Sequence, residues 1–278
     1  MEIIYTTKAL QAKLANARET GTTIGLVPTM GALHVGHASL IRRSVAENGQ
    51  TVVSVFVNPT QFNDPRDLAA YPRTLSADCR LLEACGADYA FVPSVEEMYP
   101  VPDTRLFDLS PLDEVMEGRF RPGHFNGVCQ IVSKLLDAVM PTRAYFGEKD
   151  FQQLAVIRRL VSRYHYPVEI VGCPIVRDED GLALSSRNAR LSVAERGQAL
   201  CISAALFDSR PFAATHTAAE TKCFVESLIE ATPLRLEYFE LVDGESLQPI
   251  AHWEETRYPV GCIAAYCGQV RLIDNIKY

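Results

Sequence analysis

Two histidines three residues apart, His34 and His37, open a helical pattern directly after a β-branched run. They lie in the segment Pro28-Thr29-Met30-Gly31-Ala32-Leu33-His34-Val35-Gly36-His37. At a helix start such rings share one face. They sit there beside backbone N–H groups that lack partners within the helix, at the positive end of its dipole. Gly31 and Gly36 let a bulky ligand come close to the backbone. The combination suits a polyphosphate whose leaving group gains negative charge, because preorganised donors then act on the transition state. The same spacing also fits two structural histidines or two ligands of a metal site. The metal reading lacks a third ligand and the H-E-x-x-H spacing.

Three further segments have side chains suited to the same chemistry. Phe146-Gly147-Glu148-Lys149-Asp150 joins the end of a strand to the start of a helix. Asp150 there is either a helix N-cap or an acid for ribose hydroxyls, and Lys149 reaches phosphate. Leu184-Ser185-Ser186-Arg187-Asn188 brings two hydroxyls and a guanidinium together, which makes either a phosphate clamp or a solvated turn. Asn58-Pro59-Thr60-Gln61-Phe62 follows a strand; its amides can orient a small polar substrate, although Asn-Pro is also a common turn.

The elements that must hold these segments alternate over residues 1–175. Strand-like runs occur at 23–27, 51–57, 89–92, 144–146 and 168–171. Helical spacing appears from about Ala38 to Asn48, in Val128, Ile131, Val132, Leu135, Leu136, Val139, and in Leu154, Ile157, Leu160, Val161. Such alternation predicts an α/β fold, a Rossmann-like parallel sheet covered on both faces, with ligands beyond the carboxyl ends of its strands. Residues 63–72 read as an irregular polar loop. Residues 176–278 predict a small α+β lid domain. In it, Ser192/Glu195 and Thr217/Glu220 are capping boxes opening helices to about Phe207 and Ile229. Strands follow at 236–242, 262–266 and 270–276, the last two forming a hairpin through Gly268.

Bulk properties exclude some classes. A formal charge of −7 argues against a general affinity for nucleic acid or anionic membrane. No apolar run approaches the roughly 20 residues of a membrane span. Met1 to Leu10 lacks a basic region followed by an apolar stretch, so no secretion signal is visible. The eight cysteines are scattered without a CxxC pair. Cys129, Cys201 and Cys223 fall in apolar helical patterns, as small hydrophobes of a reduced, cytoplasmic chain.

Read together and in order, 28–37, 56–62, 71–74, 121–127, 146–154 and 181–188 resemble the motifs of the pantoate–β-alanine ligase family, within the nucleotidyltransferase superfamily. The resemblance covers nearly the whole chain. It implies a homodimer that uses Mg²⁺ and ATP to condense pantoate with β-alanine through a pantoyl adenylate. Carried over residue by residue, it implies that His34 and His37 contact ATP phosphates, with His37 the proton donor. Met30, Gly31, Ala32, Leu33, Val35, Gly36, Gly147 and Glu148 line the nucleotide site. Lys149 takes phosphate, Asp150 the ribose, and Val176 offers backbone to adenine, while Leu184, Ser185, Ser186 and Arg187 close over the triphosphate. His37, His34, Lys149 and Arg187 form the catalytic set. Gln61 and Gln153 hold pantoate, supported by Asn58 and Tyr71. Metal ligands stay unassigned, with Asp78 a weak candidate. Val35 departs from an acidic residue common in the family, and Leu184 from a methionine of similar volume.

An adenylyltransferase acting on a phosphorylated precursor would share HxGH but would need basic groups where Gln61 and Gln153 stand. Small size and acidic charge disfavour an aminoacyl-tRNA synthetase. A nucleotide-binding regulator without catalysis is the remaining alternative, against which both histidines, Lys149 and Arg187 are retained.

Overall fold

Val52 and Val53 are neighbours in the sequence and both are 0% exposed. Successive strand side chains point to opposite faces, so a strand that buries both is covered on both sides. The structure, a computed structural model, describes every residue from Met1 to Tyr278. Its chain forms two compact units. One comprises Met1–Leu109, Arg121–Glu148 and Val156–Pro174; the other comprises Ser110–Phe120, Lys149–Ala155 and Ile175–Tyr278.

The chain up to residue 174 runs β1 (Glu2–Ile4), α1 (Thr7–Glu19), β2 (Ile24–Thr29), α2 (Val35–Glu47), β3 (Gln50–Val55), α3 (Pro65–Ala70), α4 (Leu75–Cys85), β4 (Tyr89–Phe91), α5 (Val95–Met98), α6 (Met116–Phe120), α7 (His124–Val139), β5 (Arg143–Gly147), α8 (Phe151–Arg163) and β6 (Glu169–Cys173). Its six strands lie in the order β1-β4-β3-β2-β5-β6, and every pairing is parallel. From β2 the chain builds outward to β3 and β4, then returns to place β5 on the other side of β2. The connections diverge at the carboxyl ends of β2 and β5, which is where open α/β sheets bind ligands. Ala38 and Ile41 of α2 and Leu82 of α4 pack with Val27 and Val53 on one face. On the first unit's other packing layer α7 meets α1 and β2.

In the second unit α9 (Val193–Ala213) and α10 (Ala218–Glu230) precede β7 (Arg235–Asp243), β8 (Pro259–Cys267) and β9 (Val270–Lys277). These strands make an antiparallel sheet in the order β7-β8-β9. The expected hairpin turns at Gly268, whose φ of +55° suits glycine. Both capping boxes form: Glu195 N–H donates to Ser192 Oγ at 3.3 Å and Glu220 N–H to Thr217 Oγ1 at 3.2 Å. Ala199, Ile202 and Leu206 of α9 bury against Phe239, Ile263 and Leu272. A buried ionic knot ties α6 to this sheet. Arg271 donates to both oxygens of Glu117, at 2.8 and 2.6 Å, and pairs with Glu237. Tyr238 donates to the same Glu117 at 2.8 Å, and burial holds its phenol well above the usual value, so it remains a donor.

Several elements differ from the sequence reading. β1 and α1 were not foreseen. The stretch expected to be irregular carries α3, which Asp64 caps by accepting from Arg66 N–H at 2.8 Å and which opens on Pro65. α9 continues past Phe207 through Pro211 to Ala213, where Phe212 stacks on Phe224 of α10 at 4.2 Å between ring centres. Cys129 is buried as expected, but Cys201 is only partly covered and Cys223 is exposed, because Cys223 lies off the α10 face that buries Thr221 and Val225.

Candidate active site

Thr29 ends β2, and the chain then bends through two successive left-handed residues, Gly31 at φ +79° and Ala32 at φ +50°. Left-handed backbone is strained for alanine, so something must hold it. Asp78, in the first turn of α4 and 2% exposed, supplies the anchor. Its Oδ2 accepts from Ala32 N–H at 3.1 Å, and its Oδ1 accepts from Leu33 N–H at 2.8 Å and from Thr74 Oγ1–H at 3.1 Å. Gly31 N–H goes to Thr29 Oγ1 at 3.2 Å. A side chain at position 31 would bring Cβ to 3.0 Å from Asp78 Oδ2 and 3.1 Å from Val55 Cγ1.

His34 is the N-cap of α2, with extended backbone at φ −136° and ψ 179°. Gly36 N–H donates to its Nδ1 at 3.1 Å, and His34 N–H donates to Nδ1 of His37 at 3.2 Å. The two ring centroids are 4.1 Å apart. Nitrogens that accept amide hydrogens carry none themselves, so the neutral form of each ring bears its hydrogen on Nε2. This arrangement corrects the sequence reading of partnerless helix-start amides for His34 and Gly36, both of which donate to the motif's own rings. Ala32, Leu33, His34 and Gly36 donate to side chains of the chain itself. Val35, by contrast, is 62% exposed, and its replacement of an acid disturbs none of these bonds.

The Asn58–Phe62 segment follows β3, next to β2 in the sheet. Gln61 is buried; its Oε1 accepts from Asn58 Nδ2 at 3.1 Å, and its amide nitrogen approaches Met30 Sδ at 3.1 Å. Asn58, 1% exposed, also donates to Gly127 O at 3.1 Å and accepts from Tyr99 Oη–H at 2.7 Å. Burial raises the Tyr99 phenol, keeping it a donor. Gly127 must be glycine, since a Cβ there would lie 2.3 Å from Thr60 O. His124 Nδ1 and Gln61 O are 2.8 Å apart. Tyr71 is buried with its ring edge-on to Phe62 at 5.8 Å. Gly147 ends β5 on the other side of β2, and a Cβ there would meet nothing within 4 Å. Packing therefore does not require glycine at this position, and the open space suits close approach of a ligand. Met30, His34, His37, Asn58, Gln61 and Gly147 thus share one sheet edge, and Glu148 follows with its N–H on Cys173 O at 2.8 Å.

The other expected residues belong to the second unit. Lys149 Nζ lies 3.7 Å from Asp150 Oδ2, and Asn275 Nδ2 donates to Lys149 O at 3.0 Å. Gln153 follows Gln152, whose amide is spent on Leu112 O at 2.7 Å, Val115 O at 2.9 Å and Glu117 N–H at 2.9 Å. Leu184 N–H donates to Val176 O at 3.0 Å, so these two candidate segments are one piece of structure. Arg177, next to Val176, is clamped by Asp274 at 2.6 and 2.8 Å. Ser185 caps the short 3-10 turn Ser186–Arg190 by accepting from Arg187 N–H at 3.2 Å. The segment is half-buried, which disfavours its reading as a solvated turn.

Sequence reasoning missed Tyr99, Asp274 and Asn275, none of which stood out by spacing, and gave Gly127 no role beyond its place in the 121–127 motif. Asp78, the weak metal candidate, has both oxygens engaged by backbone amides, and no group of three or more His, Cys, Asp and Glu is placed to hold a metal ion. No helix is long and apolar enough to cross a membrane.

Comparison with known proteins covers the chain from end to end. The family model of pantoate–β-alanine ligase matches residues 2–277. The chain is 70% identical to the pantothenate synthetase of Bacteroides thetaiotaomicron, covering 100% of this chain and 99% of that protein. The crystal structure of pantothenate synthetase from Thermus thermophilus superposes with a TM-score of 0.94 at 44% identity, over 100% of this chain and 99% of that one. The Francisella tularensis pantoate–β-alanine ligase, solved in complex with β,γ-ATP and β-alanine, gives 0.83 at 35% identity, over 100% and 97% of the two chains.

Proposed function

This chain belongs to the pantoate–β-alanine ligase family, and we infer that it condenses pantoate with β-alanine to pantothenate, splitting ATP into AMP and pyrophosphate. A carboxylate acylates an amine poorly because oxide is a poor leaving group. In the first step a carboxylate oxygen of pantoate attacks the α-phosphorus of ATP. The bond from that phosphorus to the oxygen bridging the β-phosphate breaks, and pyrophosphate leaves. In the second step the β-alanine nitrogen attacks the pantoyl carbonyl, the bond to the phosphate oxygen breaks, AMP leaves, and the nitrogen gives up a proton.

The observation that carries this reading is the His34–His37 pair at the start of α2, with both Nδ1 atoms accepting backbone hydrogens. This leaves Nε2–H as the donor of each neutral ring, and in this reading those donors meet charge that builds on the leaving phosphates. His37 is the proton donor in this reading. Lys149 and Arg187 add fixed cations to the triphosphate, and Ser185 and Ser186 close over it. Asp150 takes the ribose, Val176 the adenine, and Gly147 gives the nucleotide its close approach. Gln61 and Gln153 hold the pantoate hydroxyls and carboxylate, with Asn58 and Tyr71 fixing the pocket around Gln61. The adenylate hydrolyses if wet, so the Ser185–Arg187 segment also excludes water. No cluster of His, Cys, Asp and Glu is placed to hold a metal ion, so magnesium would be bound through ATP and would supply charge neutralisation on the phosphates. The enzyme works as a homodimer in the cytoplasm, where eight unpaired cysteines are at home.

Analysis of the products tests this. With all three substrates, AMP and pyrophosphate should form in equal amount to pantothenate. ADP and inorganic phosphate would instead point to an acyl phosphate and remove the adenylate.

A further inference from the structure

We propose that Asp78 is a positioning residue for adenylate formation, an internal anion that sets the two imidazoles by filling the concavity ahead of them. The inference rests on the reading of His34 and His37 given above. In the turn made by Gly31 and Ala32 the successive N–H groups of Ala32 and Leu33 reach one carboxylate, as successive amides in turns do around anions. Here the concavity at Gly31 and Ala32 holds the Asp78 carboxylate, one oxygen on each of the amides of Ala32 and Leu33, at 3.1 and 2.8 Å. Thr74 Oγ1 adds a third donor at 3.1 Å, and the group is 2% exposed. Three donors satisfy a buried charge that would otherwise be costly.

The bonds continue into the rings. Leu33 leads directly to His34, whose N–H sets His37 through Nδ1 and whose own Nδ1 takes Gly36 N–H. Any slackening of Ala32 and Leu33 alters the backbone of His34, and with it both ring orientations. The concavity is closed to substrate phosphate, because its amides already have an anion. The phosphates therefore meet side-chain donors, and the accuracy of those donors depends on Asp78 of α4. The Asp78 oxygens face backbone amides, which assigns Asp78 to the loop rather than to a metal.

Asp78→Asn tests the idea while keeping shape. One acceptor oxygen becomes an amide nitrogen facing a backbone N–H, so one bond is lost. Expected is a fall of roughly 10²-fold in the rate of pantoate-dependent pyrophosphate release, the scale of a small misplacement of catalytic groups. The KM for pantoate should change by less than about twofold, since the groups that bind it are untouched. In nitrogen-15 NMR of the protein without substrates, the wild-type His34 and His37 rings should show a protonated Nε2 and a bare Nδ1. Asp78→Asn should mix the two tautomers. The ring signals need no turnover, so they report on the brace even if pantoate proves not to be the substrate. A folded Asp78→Asn protein with wild-type rate and unchanged ring signals would overturn the proposal. So would a large rise in the Mg²⁺ concentration it requires at fixed ATP with the ring signals unmoved, which would make Asp78 a metal ligand. Should Asp78→Asn not fold, Thr74→Val removes only the third bond; unchanged rings and rate in that variant overturn the proposal equally.

Discussion

The backbone N–H of His34 donates to Nδ1 of His37 at 3.2 Å, so the imidazole that caps the helix is the one proposed to donate a proton to the leaving phosphates. These two roles separate by substitution. In His37→Asn the side-chain oxygen can still accept from His34, while the donor at the Nε2 position is gone. Stability should change little, and adenylate formation should fall by roughly 10²-fold or more, the scale for a lost charge-stabilising donor. Chemical denaturation and pyrophosphate release measured on the same sample separate the two. Near-normal release would remove His37 from the chemistry.

Asn58 binds Gln61 Oε1, Gly127 O and the Tyr99 hydroxyl at once, so it fixes the amide assigned to pantoate. Asn58→Ala should raise the KM for pantoate about tenfold, a loss of roughly 1.4 kcal/mol, and leave the KM for ATP within about twofold. Steady-state kinetics with each substrate varied in turn check this. An equal effect on both substrates would mean that Asn58 supports the fold generally.

Gly127 lets α7 press on the turn that carries Gln61, and an added Cβ would fall 2.3 Å from Thr60 O. Backbone cannot move aside as a side-chain end can. Gly127→Ala should cost about 1–3 kcal/mol, read as a lowered urea midpoint, and should weaken pantoate binding. A wild-type midpoint would show that the helix and the turn can part at no cost.

Asp103 is held by Arg105, whose guanidinium donates at 2.6 and 2.9 Å, with Lys134 at 3.4 Å. The hydrogen bond from Arg105 lowers its carboxyl well below the ordinary 3.8. A carboxyl with a depressed folded value stabilises the protein above its unfolded value and loses that contribution as pH falls through the folded one. Asp103→Asn should therefore be less stable than wild type near neutral pH. The gap between their urea midpoints should narrow once the pH drops below 3.8. A gap that stays constant with pH would mean that the carboxylate charge contributes nothing there.

Much of the fold could be read from the chain because its signals are local. The β-branched run around Val52 and Val53, the Ser192/Glu195 and Thr217/Glu220 boxes and the Gly268 turn each declare themselves within a few residues. β1 did not, since it has three residues and buries only Ile4, and its partner β4 is far along the chain. For the site, the types and order of residues singled out His34, His37, Gln61 and Lys149 as candidates. What holds them was hidden by distance. Asp78 is 45 residues from Leu33, and Tyr99 is 41 from Asn58, so no periodicity connects them. The helix-start amides looked partnerless for the same reason. The amides of His34 and Gly36 go to the motif's own rings and those of Ala32 and Leu33, ahead of the helix, to a distant carboxylate, and ring orientation is invisible to spacing.

The most direct measurement is rapid-mixing release of pyrophosphate from ATP with Mg²⁺, first with pantoate alone and then with β-alanine added. Expected is a single burst of about one equivalent per site with pantoate, the mark of an enzyme-bound intermediate formed before the slow step, which becomes steady turnover when the amine arrives. Absence of any pantoate-dependent release from protein that still binds ATP would contradict adenylate formation as the activity of this chain.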